Sequence, residues 1–535
     1  MEHEIIESPL QKERHGKLYY LFRNIRRGIR NRLKNNRKKF LTTLVIILGA
    51  IVGLRGLWQP ELIWMRNHLW VVLALGALYI ATRLLKKIFS GRLASAIITA
   101  LALLLVTGYL YASHNGFDIH EYLSLYLRYK TLDIVELNKM PFTDHERTQP
   151  RRSIFTQAKT KLPDNLNFNL PHYTRVGNQY NWTMSIEPPT GLGQLWGNTE
   201  GVLNIAGEDP SPSFAGDDSL VLASFETGEL LKLGKNVFTN TIKTFLSWRF
   251  LSYQPAEMFP TMDDEGNWVQ VVMLIRWNGI LFPWPEFGGV HIIPSADRLS
   301  LFDKVRLWVL GIGKWIPPGD IPKYPFLKGQ SIVPAEVQRF NANSFRFHSG
   351  FWAPAPFYHR GDVRIPDLPE DVNDQPFTTF FRFPASPDRS KLYDYFSLEP
   401  YDPTKRGLNT SMLCPGDGQG PIFVRKHYLF GERMTGVSAA ASKIQDTRKN
   451  YTWQSVKPVE FRSYIKMING EQRFFWLTTV VTVDEKNKKD FLTGSTPELA
   501  VVDADTDDVF WLHSGPNTWV RQIEQQLAEK KKKGD

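Results

Sequence analysis

Asp503, Asp505 and Asp507 stand at alternate positions, the spacing with which an EF-hand loop begins to surround calcium. The sixth position is Asp508, where such a loop needs glycine, and the twelfth is Ser514, where it needs a bidentate glutamate. A hairpin turn is the better reading of this stretch. Gly416, Gly418 and Gly420 could cradle a phosphate, but no P-loop lysine follows them, so a flexible loop is expected. Cys414 is the sole cysteine and precedes proline without a nucleophile's flanking signature; alone, it excludes an intrachain disulfide. His348 and His359 flank an aromatic, proline-rich stretch without a short metal-ligand spacing, and read as packing or surface histidines. Glu187, Asp263, Asp264 and Glu286 could act as acid and base only if the fold brought two of them together. No GxSxG motif marks a serine nucleophile. Asn181, Asn409 and Asn450 open N-x-S/T sequons, which matter only in a eukaryotic secretory pathway. The sequence therefore assigns no catalytic, cofactor-binding or metal-ligating residue, and no cofactor.

The elements that would position these residues divide at about residue 112. Residues 1–112 hold 18 Lys and Arg against 5 Asp and Glu, a net +13, which leaves −2 of the overall +11 for residues 113–535. A nucleic-acid binder would concentrate its cations on the folded domain, so nucleic acid is not an expected partner. Residues 17–39 place Leu18, Leu21, Phe22, Ile25, Ile29 and Leu33 at helical spacing among Arg and Lys, a basic amphipathic cytoplasmic arm suited to anionic lipid head groups. Apolar runs at about 40–58, 68–85 and 93–112 predict a three-helix transmembrane module in a lipid bilayer. Arg83, Lys86, Lys87 and Arg92 put the second connection beside the cytoplasmic N-terminus, so residues 113–535 are expected to be extracytoplasmic, on a multi-pass protein of the cell membrane. Gly49 and Gly53 form a GxxxG that suits dimerisation or packing within the module.

Beyond the module, Asp118 and Glu121 resemble a capping box opening a helix to about residue 130, within a juxtamembrane helix and linker over 113–175. Period-two alternation at 180–186 and apolar runs at 268–277 and 474–483 predict strands, each behind a turn signal. Second β-like runs follow at 220–225, 289–293 and 499–502, with helices expected at 237–250, 301–309 and 518–533. This is an α+β pattern, antiparallel-sheet-rich, with units at 176–313 and 437–535 and an irregular Pro/aromatic-rich region at 314–436.

The stretches 501–512 (VVDADTDDVFWL) and 223–233 (ASFETGELLKL) resemble the closing hairpin of PepSY-type, cystatin-like units. Asp508 stands where that family has glycine, and the middle copy, 264–301, lacks the closing TGE. The resemblance implies repeated cystatin-like units in a membrane-anchored, extracytoplasmic protein that binds or inhibits rather than catalyses. Together these readings give a non-enzymatic envelope scaffold that contacts a protein partner, or a homo-oligomer, through the aromatic segment at 345–383. An envelope hydrolase and a viral or phage-encoded structural membrane protein are the alternatives.

Overall fold

The computed structural model describes residues 37–88, most of 118–482, and 498–534; residues 1–36, nearly all of 89–117, 483–497 and short internal stretches, the longest 208–219, lie outside the description. The chain opens with helices α1 (Arg37–Gly53), α2 (Arg55–Asn67) and α3 (Leu69–Ile88). Helix α4 (Ile119–Thr131) follows, its N-terminus held by the Asp118 carboxylate, which accepts from the backbone N–H groups of His120 and Glu121.

The transmembrane module is overturned. Among the described residues no helix is long and apolar enough to cross a membrane. Helix α1 stops after 17 residues. Its expected extension through Trp58 is instead the start of α2, which docks on the folded body. Gln59 donates to the carbonyls of Phe250 and Tyr253, both at 2.9 Å, and Arg66 donates to those of Trp277 and Gly279. Arg55 and Gln59 are both buried there. Helix α3 has 20 residues but ends in Arg83, Lys86 and Lys87. Among the described residues no atom lies within 4 Å of where a Cβ on Gly49 would stand. The third run, 93–112, lies almost wholly outside the described residues, as does the basic arm up to residue 36. The orientation, the multi-pass localisation and the membrane-anchored scaffold all rested on three crossings, and they fall with them.

The mixed helix and sheet content fits an α+β fold. After β1 (Ile134–Glu136) and β2 (Phe142–Asp144), one pattern recurs four times: a helix, then an antiparallel meander. The first copy is α5 (Arg151–Lys161) with β3 (Asn167–Phe168), β4 (His172–Val176), β5 (Gln179–Glu187), β6 (Gly201–Ala206) and β7 (Leu220–Val221); β3 and β4 both pair with β5. The second is α6 (Val237–Thr244) with β8 (Tyr253–Met262), β9 (Trp268–Asn278) and β10 (Trp284–Pro294), then α7 (Leu301–Val309) and β11 (Lys314–Ile316). The third is α8 (Ala335–Ser344) with β12 (Val363–Arg364), β13 (Phe377–Arg382), β14 (Lys391–Pro400), β15 (Gly407–Leu408), β16 (Thr410–Pro415) and β17 (Ile422–Lys426). The fourth follows β18 (Met434–Thr435): α9 (Val437–Thr447) with β19 (Val456–Ile468), β20 (Glu471–Thr482), β21 (Glu498–Asp503) and β22 (Val509–Leu512), closed by α10 (Trp519–Gly534).

The third sheet is the largest, with β1 parallel to β17 at one edge and β2 beside β13 at the other. Its aromatic side chains, Phe377, Phe381, Tyr393 and Tyr395, form one core with Trp476 of the fourth sheet. Most of the aromatic segment expected as a contact surface is therefore interior. Phe345, Phe347, Phe377 and Phe381 are buried, and Tyr122 of α4 packs edge-on to Phe347. Burial of each such ring contributes roughly 1.5–3 kcal/mol, enough to draw the segment inward.

Candidate functional site

The leading strand of each meander is interrupted, and the four interruptions line one cleft of about 690 Å³. In the first unit, Phe168 pairs with Ile186 and His172 with Thr183, so residues 169–171 face only two residues of β5. In the second, Ala256 and Glu257 of β8 face Met273 alone. In the fourth, Glu460 and Phe461 of β19 face Thr478 alone. Each carries one residue more than its partner, the geometry of a β-bulge, which bends a strand and re-aims side chains. In the third unit the leading strand breaks between β12 and β13, and Gln375 spans the gap: its amide oxygen accepts from the Ser397 N–H and its amide nitrogen donates to the Ser397 hydroxyl. In the first unit the Asn169 amide oxygen likewise accepts from the Ser185 N–H, at 2.6 Å, while its amide nitrogen donates to the Met258 carbonyl. These side chains satisfy ladder groups that the interruptions would otherwise orphan.

One wall is acidic. Glu257 accepts from the backbone N–H of Ala335, the first residue of α8, where the helix dipole favours a negative charge. Asp394 of β14 is buried and accepts from the hydroxyls of Thr378 and Ser331. Burial, seconded by the charge of Glu257, pushes its carboxyl up to about 7. Glu229 and Glu336 are likewise raised, by burial first and Glu257 next among the raising influences, while Arg151 partly offsets the rise at Glu229. None of the four forms an ion pair among the described residues. His172 stacks on Phe259, with ring centroids 4.1 Å apart, and its Nε2 lies 2.8 Å from the Ser331 carbonyl oxygen, so Nε2 carries the hydrogen. Burial, with Arg151 nearby, depresses the imidazole to about 4 against the pull of Glu257, leaving it neutral at pH 7.

The other wall is cationic. Arg147 is buried and donates from Nη2 to Glu460 at 2.8 Å. Its guanidinium lies over the Trp182 ring, 4.9 Å from the centroid, an arrangement suited to cation–π attraction. Arg151 and Arg152 of α5 line the same end, and the Arg151 backbone N–H also reaches Glu460. Glu460 adopts φ of +52°, sparsely populated for a side-chain-bearing residue, in a bulge that holds its carboxylate between arginines.

The residues singled out from the sequence lie elsewhere. Glu187 closes the 228–231 loop, accepting from the Glu229 and Leu230 N–H groups, and burial raises it to about 7. Asp263 organises the β8–β9 turn and pairs with Arg298, with Asp264 beside it in the same turn. Glu286 takes Arg128 and the Trp284 indole. Asp503 binds Arg473 and the turn N–H groups of Asp505 and Thr506, Asp507 pairs with Lys443, and Asp508 with Lys530, so cations already hold three of this hairpin's carboxylates. Cys414 is buried in β16, its thiol driven up by burial and Asp394. The glycine loop is clasped by Asp417, which accepts from Lys391 and the Gly329 N–H. His348 stacks on Phe345, while His359 lies outside the described residues. Asn181 is buried against Asn204, Asn409 accepts from its neighbour Thr410, and Asn450 is exposed in a turn.

Sequence reading missed Glu229, Glu257, Glu336, Asp394 and Glu460 because nothing in the spacing of residues 229 to 460 reveals their convergence. One signal was available: Glu257 and Glu460 each lie two residues beyond a proline, Pro255 and Pro458, in a leading strand that follows a helix. No protein-family model matches the chain, and neither a curated protein nor a solved structure shows detectable similarity to it.

Proposed function

We propose that this chain binds a small organic cation, an amine, in the cleft where the four leading strands meet. The observation that carries the reading is the unpaired acidic wall: Glu229, Glu257, Glu336 and Asp394 come from four separate elements, and three of them are raised by the charge of Glu257. Carboxyl groups that repel one another without a cation store free energy that a positive ligand releases on binding. Among the described residues no group of three or more His, Cys, Asp or Glu is close enough to hold a metal ion, so the carboxyls are spaced for a larger cation with several N–H donors. The volume of about 690 Å³ lies within the range of small-molecule sites, and Phe155, Tyr173 and His172 supply apolar and aromatic wall for a carbon skeleton.

Calorimetric titration with cadaverine tests this. Binding is expected above pH 7, where Asp394 is ionised, and Glu229→Gln should weaken it by about tenfold, the usual loss for one charge-assisted hydrogen bond. Affinity that is unchanged by Glu229→Gln and by raising the pH from 6 to 8 would sink the reading.

A further inference from the structure

The cationic end of the same cleft gathers several arginines around one carboxylate. Glu460 serves both Arg147 at 2.8 Å and the fully buried Arg462 at 4.0 Å, and Arg151 and Arg152 stand beside them. Two buried N–H groups on the lining residues of this end, Arg147 Nε and Trp182 Nε1, have no acceptor among the described residues. Both side chains are more than nine-tenths buried, and they belong to one stack, with the guanidinium over the indole. A buried donor without an acceptor costs about 1–3 kcal/mol, and proteins rarely keep two together without a purpose. Arginine is the side chain whose planar fork matches a carboxylate with two parallel hydrogen bonds.

We propose that the Arg147–Trp182 end of the cleft is a carboxylate subsite, so that the ligand is an amino-acid-like zwitterion. Its acidic group lies against Arg147, Arg151 and Trp182, and its ammonium group lies among Glu229, Glu257 and Glu336. The inference rests on the amine reading for the second half of that ligand and on the arginine cluster alone for the first. It assigns each charged wall a separate task. The cleft would select against plain diamines, which leave the Arg147 and Trp182 N–H groups without an acceptor, and against plain carboxylates, which leave the acidic wall without a cation.

The test is calorimetry on the full chain with three probes: L-lysine, cadaverine (which lacks the carboxylate) and hexanoate (which lacks the amine). L-Lysine is expected to bind about tenfold more tightly than cadaverine, and Arg147→Gln should abolish that advantage. Equal affinities for L-lysine and cadaverine in the unaltered protein would overturn the carboxylate subsite and leave the amine reading intact. Hexanoate binding that disappears in Arg147→Gln, with no binding of cadaverine, would keep the subsite and overturn the amine reading. Failure of both L-lysine and hexanoate to bind would overturn the subsite. If Arg147→Gln does not fold, Arg151→Gln takes its place, because its guanidinium lines the same end without the buried pairing to Glu460.

Discussion

The bulges of β8 and β19 are built alike and used differently. Each adds one residue to the leading strand of a meander, and each presents a glutamate to the same cleft. Glu460 is held by two cations and a backbone amide: Arg147 at 2.8 Å, Arg462 at 4.0 Å and the Arg151 N–H at 3.1 Å. Glu257 has a helix N-terminus at Ala335 and three further carboxyl groups within electrostatic reach. The bulge determines where the carboxylate points; its neighbours determine whether that carboxylate holds the fold together or stands ready for a ligand. A repeated unit can in this way supply both structural and binding groups from equivalent positions.

The contrast is broken most forcefully at Glu460. Glu460→Gln leaves two buried arginines without their carboxylate, and removing one partner of a buried ion pair typically costs about 3–5 kcal/mol. Urea denaturation should report a loss of that size. A loss below about 1 kcal/mol would show that Arg147 and Arg462 are neutralised by other means, and the distinction between the two bulges would disappear.

The parts of the molecule legible in its sequence are those governed by local rules. Alternation at 180–186 and the apolar run at 268–277 fall within β5 and β9, and the Asp118 cap and the helix at 301–309 form as the residue types require. The leading strands were harder to see. Pro171, Pro255 and Pro458 interrupt them, and proline ordinarily argues against a strand; here the prolines lie at or beside the irregularities that shape the cleft. The N-terminal reading failed for a different reason. Hydropathy counts apolar residues in a window but not their surroundings, so residues 59–67 read as a connection between spans, whereas Gln59 and Arg66 bind backbone carbonyls from residues 250 to 279. Burial of a polar side chain against distant backbone has no local signature, and neither has the convergence of five carboxylates.

Asp394 sharpens the acidic half of the comparison. Its folded carboxyl titrates at about 7, against about 3.9 for an unfolded aspartate, so the native state holds the proton more tightly than the unfolded chain. Its contribution to stability is therefore complete below about pH 4 and is lost as the pH rises through 7. Asp394→Asn keeps an oxygen to accept from Thr378 and Ser331 but cannot ionise. The variant should match the unaltered protein near pH 4 and exceed it at pH 8 by about 2–4 kcal/mol, at roughly 1.4 kcal/mol per pKa unit. Thermal melts across that range would show the difference widening with pH. Parallel curves would mean that Asp394 is not held in its protonated form, and the acidic wall would lose its most buried member.

The smallest stability effect is expected at Glu257, where the comparison predicts a change of function without a change of fold. Glu257→Gln removes a charge at the start of α8, a loss of about 0.3–1 kcal/mol from the helix dipole, and it also removes repulsion with Glu229, Glu336 and Asp394. These effects oppose each other, so the melting temperature should move by only a few degrees in either direction. Cadaverine affinity should nevertheless fall by about tenfold, because the residue that couples the carboxyl groups has lost its charge. The carboxyls of Glu229 and Glu336 should titrate lower in the variant, which carbon-detected NMR of the side-chain carboxyls can follow. A Glu257→Gln protein as unstable as Glu460→Gln would make both bulges structural. One with unaltered cadaverine affinity would place the amine away from the charge that all three neighbouring carboxyls share.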